Sequence, residues 1–386
     1  MIDVAHARAQ TPGCDGSMIH FNSAGASLQP RCVLDAVTDH LNLEARLGGY
    51  RALEQASGRA EAVYASAARL LQCATDEIAL TESATRAWDV AFASFPLAPG
   101  DRILTAKAEY ASNVLALLQA ARRRGVAIDL APDDRHGQVD VEALAALIGP
   151  RTRLIALTHA PTDSGLVNPA AAVGRAARAA GVPLLLDACQ TAGQLPLDVE
   201  ALGCDMLSFT GRKYLRAPHG TGVLYVRRAW IERMEPPTVD LRAATWAGPD
   251  HYDIRRDARR FETWEAAHAS RLGLGAAIDH ALDWGLDAIR ARIERLAQTL
   301  RARLADSPGV TVNDRGMVLS GLVTFTRDGE APIDAQRRLQ AQDINVSVTA
   351  PGYARFDGAT PRIRASVHYF NTEAEIDRFI TALETK

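Results

Sequence analysis

Between residues 77 and 228 the chain alternates short apolar runs with helix-patterned stretches, and this alternation restricts the fold more than any other feature. EIALTES, RILTAK, VAIDLAP, TRLIALTHA, VPLLLDA, DMLSFTG and GTGVLYVRR read as strands. Residues 52–73, before the first of them, and 87–95, 113–124, VDVEALAALIG and PAAAVGRAARAAG, between them, read as helices. The strands are apolar throughout rather than alternating. That is how strands read when a sheet is buried on both faces, and the strand–helix–strand order makes such a sheet mostly parallel. From about residue 263 the pattern changes to two long helices, WEAAHASRLGLGAAIDHALDWG and LDAIRARIERLAQTLRARLADS. A short tail follows, with strands near GLVTFT and RIRASVHYF and a final helix EAEIDRFITALE. The fold class is therefore α/β. A large, mostly parallel-sheet domain is expected over 21–255, a smaller α+β domain over 256–386, and a polar arm over 1–20.

At 386 residues the chain is long enough for two such units. Its 43 basic and 46 acidic residues leave a net charge of −3, which argues against nucleic acid or an anionic membrane held by a broad basic field. No run of about 20 apolar residues is present to span a bilayer, and the N-terminus shows no basic and apolar leader. The five cysteines, Cys14, Cys32, Cys73, Cys189 and Cys204, are scattered and form no C-x-x-C pair. This usage points away from a disulfide scaffold or zinc site and toward the cytoplasm. His159, His219, His251 and His268 lack metal-ligand spacing and His368 reads as structural, so no metal is expected. The arginine-rich helix RARIERLAQTLRARLADS reads as a solvated amphipathic face.

Two segments carry chemistry. Asp187, Cys189 and Gln190 follow the apolar strand VPLLLDACQ, at the sheet edge where ligands sit in open α/β folds. A carboxylate placed directly after LLL needs a cation, a donor or water. A protonated pyridinium nitrogen suits it, and so does a helix N-cap or a solvated loop. Lys213, in SFTGRKYLRAPHGTGVLYV, is flanked by Arg212 and Arg216 between two apolar strands. A lysine crowded by cations and desolvated has a lowered pKa and can act as a nucleophilic amine that forms a Schiff base. The same residues also fit an ordinary basic loop. Thr210 and Arg212 are phosphate-contact types, and Pro218, Gly220 and Gly222 permit a tight turn.

The combination D-x-x-Q, a strand, and T-G-R-K-Y-L-R-A-P-H-G-T-G resembles the class V aminotransferase family of pyridoxal-phosphate enzymes (fold type I). The resemblance runs from HFNSAGASLQP to RIRASVHYFNTEAEIDRF. It implies pyridoxal 5'-phosphate as cofactor, with Lys213 as the Schiff-base lysine, Asp187 on the pyridine nitrogen and Gln190 on the phenolate oxygen. Ala84 and Thr85, in the turn after Ser83, would form the phosphate cup at a helix N-terminus, completed by Thr210 and Arg212. By sequence alone that stretch is a plain capped helix start. Tyr110 would stack on the cofactor ring, where desulfurases have His; a tyrosine keeps the stack without an imidazole's acid–base capacity. Thr162 falls where the family has a polar residue facing cofactor or substrate. Arg364 matches the arginine that grips the substrate α-carboxylate, and Ala24 and Gly25 match the segment lining the substrate side. Thr245 and Trp246 lie where the family lends a loop to the partner's phosphate, which implies a homodimer with shared sites. Tyr50, Tyr353, Arg355 and Phe356 are pocket candidates by position.

The reaction is narrowed by an omission. Desulfurases resembling this chain carry a nucleophilic cysteine shortly before the Arg364 strand, whereas INVSVTAPGYARFDGATPRIRAS has none. The stretch around Glu44, Gly48, Gly49 and Tyr50 resembles ergothioneine-pathway C–S lyases and isopenicillin N epimerase-like relatives. The expected activity is β-elimination on an S-substituted cysteine or its sulfoxide, such as hercynylcysteine sulfoxide, releasing pyruvate and ammonia. An aminotransferase or amino-acid epimerase is the alternative, with cysteine desulfurase placed below both. A binding protein that merely kept the fold stands against the intact Lys, Asp, Gln and Arg set.

Overall fold

The computed structural model describes residues 1–349, 356, 358 and 360–385. A short leading strand, β1 (Ile19–His20), precedes seven that build the main sheet. These are β2 (Ile78–Thr81), β3 (Arg102–Ala106), β4 (Ala127–Ala131), β5 (Thr152–Thr158), β6 (Leu184–Asp187), β7 (Met206–Thr210) and β8 (Gly222–Val226). Their order across the sheet is β2-β8-β7-β6-β5-β3-β4, and β8 alone among them runs antiparallel to its neighbours. The mostly parallel sheet expected from the apolar runs is the one observed. Every residue of β2, β6, β7 and β8 is buried. Ile103, Leu154, Leu185 and Met206 pack on one face with Trp88 and Phe92 of the helix Ala84–Ser94, whose rings stack 4.8 Å apart. Leu104, Leu157, Leu186 and Leu207 pack on the other with Val173 and Leu202. Each such side chain contributes about 1.5–3 kcal/mol by leaving water.

A hairpin, β9 (Ala244–Gly248) and β10 (His251–Ile254), projects from the chain after the main sheet. The second sheet is antiparallel: β11 (Val310–Val312), β12 (Leu322–Arg327), β14 (Ser347–Thr349) and β15 (Arg362–Ser366), ordered β11-β12-β15-β14. The short β13 (Ile344–Asn345) pairs in parallel with β1, so the two ends of the chain meet. Among the described residues no helix is long and apolar enough to cross a membrane.

Four local features differ from the sequence expectation. The stretch 1–20 is not a free arm: Ile2, Ala7 and Ile19 are buried, and Arg8 pairs with Glu375 at 2.7 Å. The expected helix 52–73 is two, Gly49–Gln55 and Ser57–Leu71, broken next to Ser57 and Gly58, both weak helix formers. The helix Arg31–Leu47, amphipathic in its sequence and burying Val33, His40 and Leu43, was not among the expected elements. It packs, with Ser57–Leu71, on the long helix His268–Trp284. The arginine-rich helix Leu286–Asp306 is not simply solvated. Arg292 is buried, paired with Glu373 and donating to Asn371 O at 2.8 Å, and Arg301 holds Asp314 at 2.7 Å together with the carbonyls of Ser320 and Leu322. Charge on the helix is turned inward because the neighbouring segment ends leave carbonyls that need donors.

A buried carboxylate ties these layers together. Glu262, with a fully buried side chain, accepts from Tyr64 OH at 2.8 Å, Leu80 N at 2.9 Å and Arg242 Nε at 2.9 Å. Arg271 lies 3.6 Å away and donates to Leu80 O at 3.0 Å. One carboxylate thus links β2, two helices and the segment that leads into the β9–β10 hairpin.

Candidate active site

In a parallel sheet the strand ends that share a direction bring their following loops to one edge. Here the carboxyl ends of β2, β3, β5, β6 and β7 open on one shared cavity. It is lined by Ser83, Ala84 and Thr85 after β2, Tyr110 after β3, and Thr158, Ala160 and Thr162 at the end of β5. Asp187, Cys189 and Gln190 follow from β6, and Thr210, Arg212 and Lys213 from β7.

Lys213 is buried, and desolvation lowers its pKa below the ordinary lysine value, with Arg212 and Arg364 pushing the same way. Asp187 Oδ1 accepts from Cys189 N at 2.9 Å and Oδ2 from Asn113 Nδ2 at 3.0 Å. Among the described residues no lysine or arginine closes a salt bridge on it. Gln190 donates to Ala24 O at 3.2 Å and Thr162 Oγ1 at 3.3 Å, while its Oε1 is buried without a partner. Burial, with Asp187 adding, pushes the Cys189 thiol well above its ordinary value, so it stays protonated.

The helix Ala84–Ser94 begins at the cavity with Ser83 as its cap, accepting from Arg86 N at 3.1 Å. Its free backbone N–H groups and positive dipole end favour an anion there. Gly222 makes this approach possible, since a Cβ at that position would lie 2.4 Å from the Ser83 carbonyl carbon. Thr210 Oγ1 donates to Thr221 O at 3.2 Å, and Arg212 donates to Gly25 O.

Arg364 lies on β15, between Thr324 of β12 and Ser347 of β14, and is buried. It donates to Thr162 O at 3.1 Å and to Thr162 Oγ1 but has no carboxylate partner among the described residues. Burial, with Arg212 nearby, lowers its pKa to about 10. Ala24 and Gly25 reach the site through Gln190 and Arg212, and Ala24 N donates to Ser366 Oγ at 2.9 Å. Thr245 and Trp246 are not brought to the cavity of their own chain; they sit on the exposed hairpin strand β9, with Trp246 73% exposed. Tyr50 is likewise on the surface, 81% exposed. Phe356 is half-buried, its N donating to Lys107 O at 2.9 Å, and Tyr353 and Arg355 lie outside the described residues.

Sequence reading missed Glu109 and Asn113. Both are buried behind Tyr110 and bonded to each other at 2.8 Å, and Asn113 reaches Asp187. The available signal was an acid directly after the strand RILTAK with an amide four residues on. Arg216, expected to crowd Lys213, is buried and turns its guanidinium to Leu28 O, Thr11 Oγ1 and Tyr369 OH instead, while its N bonds to Lys213 O at 2.9 Å. A larger depression at the opposite sheet edge, around Asp76, Arg227, Arg228 and Asp257, is a charged surface whose ions pair with neighbours, as Arg228 does with Asp76 at 2.7 Å.

The model of the family described as aminotransferase class-V matches residues 19–379. A probable cysteine desulfurase of Halalkalibacterium halodurans is 30% identical over 377 residues, covering 95% of this chain and 92% of the relative. One of Synechocystis is 28% identical, covering 95% and 90%. Among solved structures, the cysteine desulfurase CsdA of Escherichia coli superposes with a TM-score of 0.92 at 25% identity, over 100% of this chain and 98% of that one. The cystine C–S lyase C-DES, in complex with its product cysteine persulfide, gives 0.88 at 25% identity over 97% and 99%. The ergothioneine-type and epimerase-like branch is not among these relatives.

Proposed function

The chain belongs to the aminotransferase class-V family, and from that premise we propose that it cleaves the carbon–sulfur bond of a cysteine-derived amino acid by β-elimination. The fold is that of pyridoxal-phosphate enzymes of fold type I. The cofactor is pyridoxal 5'-phosphate, which a C-DES variant carries covalently linked to glycine.

The cavity fits that group. Gln190 Oε1 is a buried polar atom awaiting a partner, Asp187 is a buried carboxylate with no salt bridge, and Gly222 keeps clear the space that brings the Ser83–Thr85 turn to the edge. Ala84 and Thr85 would hold the phosphate with Thr210 and Arg212, Tyr110 the ring face, Asp187 the ring nitrogen, and Lys213 the aldehyde carbon. When bound, pyridoxal phosphate supplies the electron sink that makes an amino acid's Cα acidic. Arg364 would grip the substrate carboxylate bidentately, with Thr162 fixing the guanidinium. Lys213, held toward its neutral form, would take the Cα proton. Gly222→Ala should weaken cofactor affinity about tenfold, because overpacking against Ser83 costs on the order of 1–3 kcal/mol; fluorescence titration with pyridoxal phosphate reads this. Arg364→Ala should raise KM roughly 10- to 100-fold with a smaller change in kcat, the size of a lost charge-assisted hydrogen bond; initial-rate kinetics separate the two.

The observation that favours elimination is the cysteine distribution. No cysteine follows Cys204 in the sequence, and Cys189, which does line the cavity, is kept as a neutral thiol. Sulfur transfer through an enzyme persulfide needs a thiolate. The names of the relatives favour the second reading, cysteine desulfurase. Incubating the holoenzyme with cysteine, cystine and S-substituted cysteine sulfoxides, hercynylcysteine sulfoxide included, decides between them. Pyruvate and ammonia formed without a keto acid support elimination. Alanine with sulfane sulfur would establish the desulfurase instead, and turnover that requires a keto acid an aminotransferase.

Trp246 and Tyr252 are cross-strand partners on the hairpin, and both are exposed, which makes the hairpin an aromatic surface. We assign it to a homodimer in which Thr245 and Trp246 approach the partner's phosphate site. Sedimentation of Trp246→Ala tests this: the variant should shift toward monomer.

A further inference from the structure

Beneath the cavity floor one amide bridges two buried carboxylates. Asn113 Nδ2 donates to Glu109 Oε1 at 2.8 Å and to Asp187 Oδ2 at 3.0 Å. The nitrogen carries two hydrogens, so both bonds can form at once. Glu109 is 1% exposed and accepts three further hydrogen bonds, from Thr158 Oγ1, from Tyr110 N at 2.9 Å and from Thr105 Oγ1 at 3.3 Å. These donors come from β3, β5 and the helix Ala111–Arg124, so the carboxylate is held from three elements. Among the described residues no lysine or arginine pairs with it.

We infer that Glu109 is a positioning residue for Asp187: acting through Asn113, it fixes the carboxylate that serves the cofactor's ring nitrogen, and its own charge governs how firmly that nitrogen keeps its proton. The inference rests on the pyridoxal-phosphate reading above. An ionised Glu109 adds a second negative charge behind Asp187 and favours the protonated ring nitrogen; a protonated Glu109 withdraws that support. The charged group that acts on it is Asp187 on β6, which lines the cavity together with Lys213 and Arg212 after β7. His159 on the neighbouring chain segment is kept neutral, lowered to about 4 by burial. Burial pushes the Glu109 carboxyl up to about 7, with Asp187 adding and the Thr158, Asn113 and Tyr110 donors opposing. The charge is therefore present above neutral pH and lost below it.

The test follows the visible absorption of the bound cofactor across neutral pH in the reconstituted holoenzyme, alongside kcat and KM. The wild-type spectrum should show a transition near neutral pH. Glu109→Gln, isosteric and permanently uncharged, should bind the cofactor yet lose that transition, with kcat down about tenfold and KM little changed. Thr158→Val removes a donor from the ionised form and should move the transition to higher pH. A Glu109→Gln spectrum that titrates as the wild type does, or a Thr158→Val transition left in place, overturns the inference while leaving the cofactor assignment standing. A wild-type protein that takes up no pyridoxal phosphate overturns the assignment and the inference together.

Discussion

Lys213→Ala is expected to lower kcat by a factor of at least about 100 to 10,000, the span a positioned proton-transferring group contributes. Two observations set the expectation. The amine is buried at the end of β7 beside Arg212, and desolvation holds it below the ordinary lysine value. No other lysine lines the cavity among the described residues. The remaining contacts, at Asp187, Gln190 and the Ser83–Thr85 turn, are untouched by the change. The variant should therefore keep cofactor non-covalently, and a small added amine should restore a fraction of the rate. Stopped-flow or steady-state rates with and without ethylamine measure this. Wild-type turnover in the variant would remove Lys213 from the chemistry.

Glu262→Ala should destabilise the protein by about 3–5 kcal/mol, the usual result of leaving buried cations without their anion. Arg242 and Arg271 would both lose their carboxylate, Tyr64 OH an acceptor, and Leu80 N a partner within the edge strand β2. Glu262→Gln should cost less, because an amide oxygen still accepts from Leu80 N. Denaturant unfolding of both variants gives the comparison. A loss under 1 kcal/mol for the alanine variant would show that water replaces the carboxylate there. Oligomeric state should also weaken in Glu262→Ala, since Arg242 stands two residues before the β9–β10 hairpin.

The parts of the site that were legible in the sequence share a property. Asp187 follows three buried leucines and Lys213 sits between two buried strands, so an ionisable residue stands where the local pattern permits none without a reason. Glu109 and Glu262 escaped because part of what encloses each comes from far along the chain: Thr158 lies 49 residues from Glu109 and Tyr64 lies 198 from Glu262. The helix Arg31–Leu47 does carry an amphipathic period, with Val33, His40 and Leu43 turned inward, and it was legible but passed over. Thr245 and Trp246 were named by family position alone, and they lie on an exposed hairpin away from the cavity of their own chain. The omission of a cysteine was legible at once, since it needs no geometry.

The pairing of β1 with β13, and of Ala24 with Ser366, sets a timetable for biosynthesis. Arg364 leaves the ribosome 151 residues after Lys213, a delay of roughly 8–30 s at ordinary elongation rates. The phosphate turn, the lysine and its carboxylate are all made early and belong to one sheet, which can form while synthesis continues. The arginine that would receive the substrate carboxylate, and the strand that secures the first 25 residues, arrive almost last. The segments that would hold the cofactor are thus synthesised well before the strand that carries Arg364.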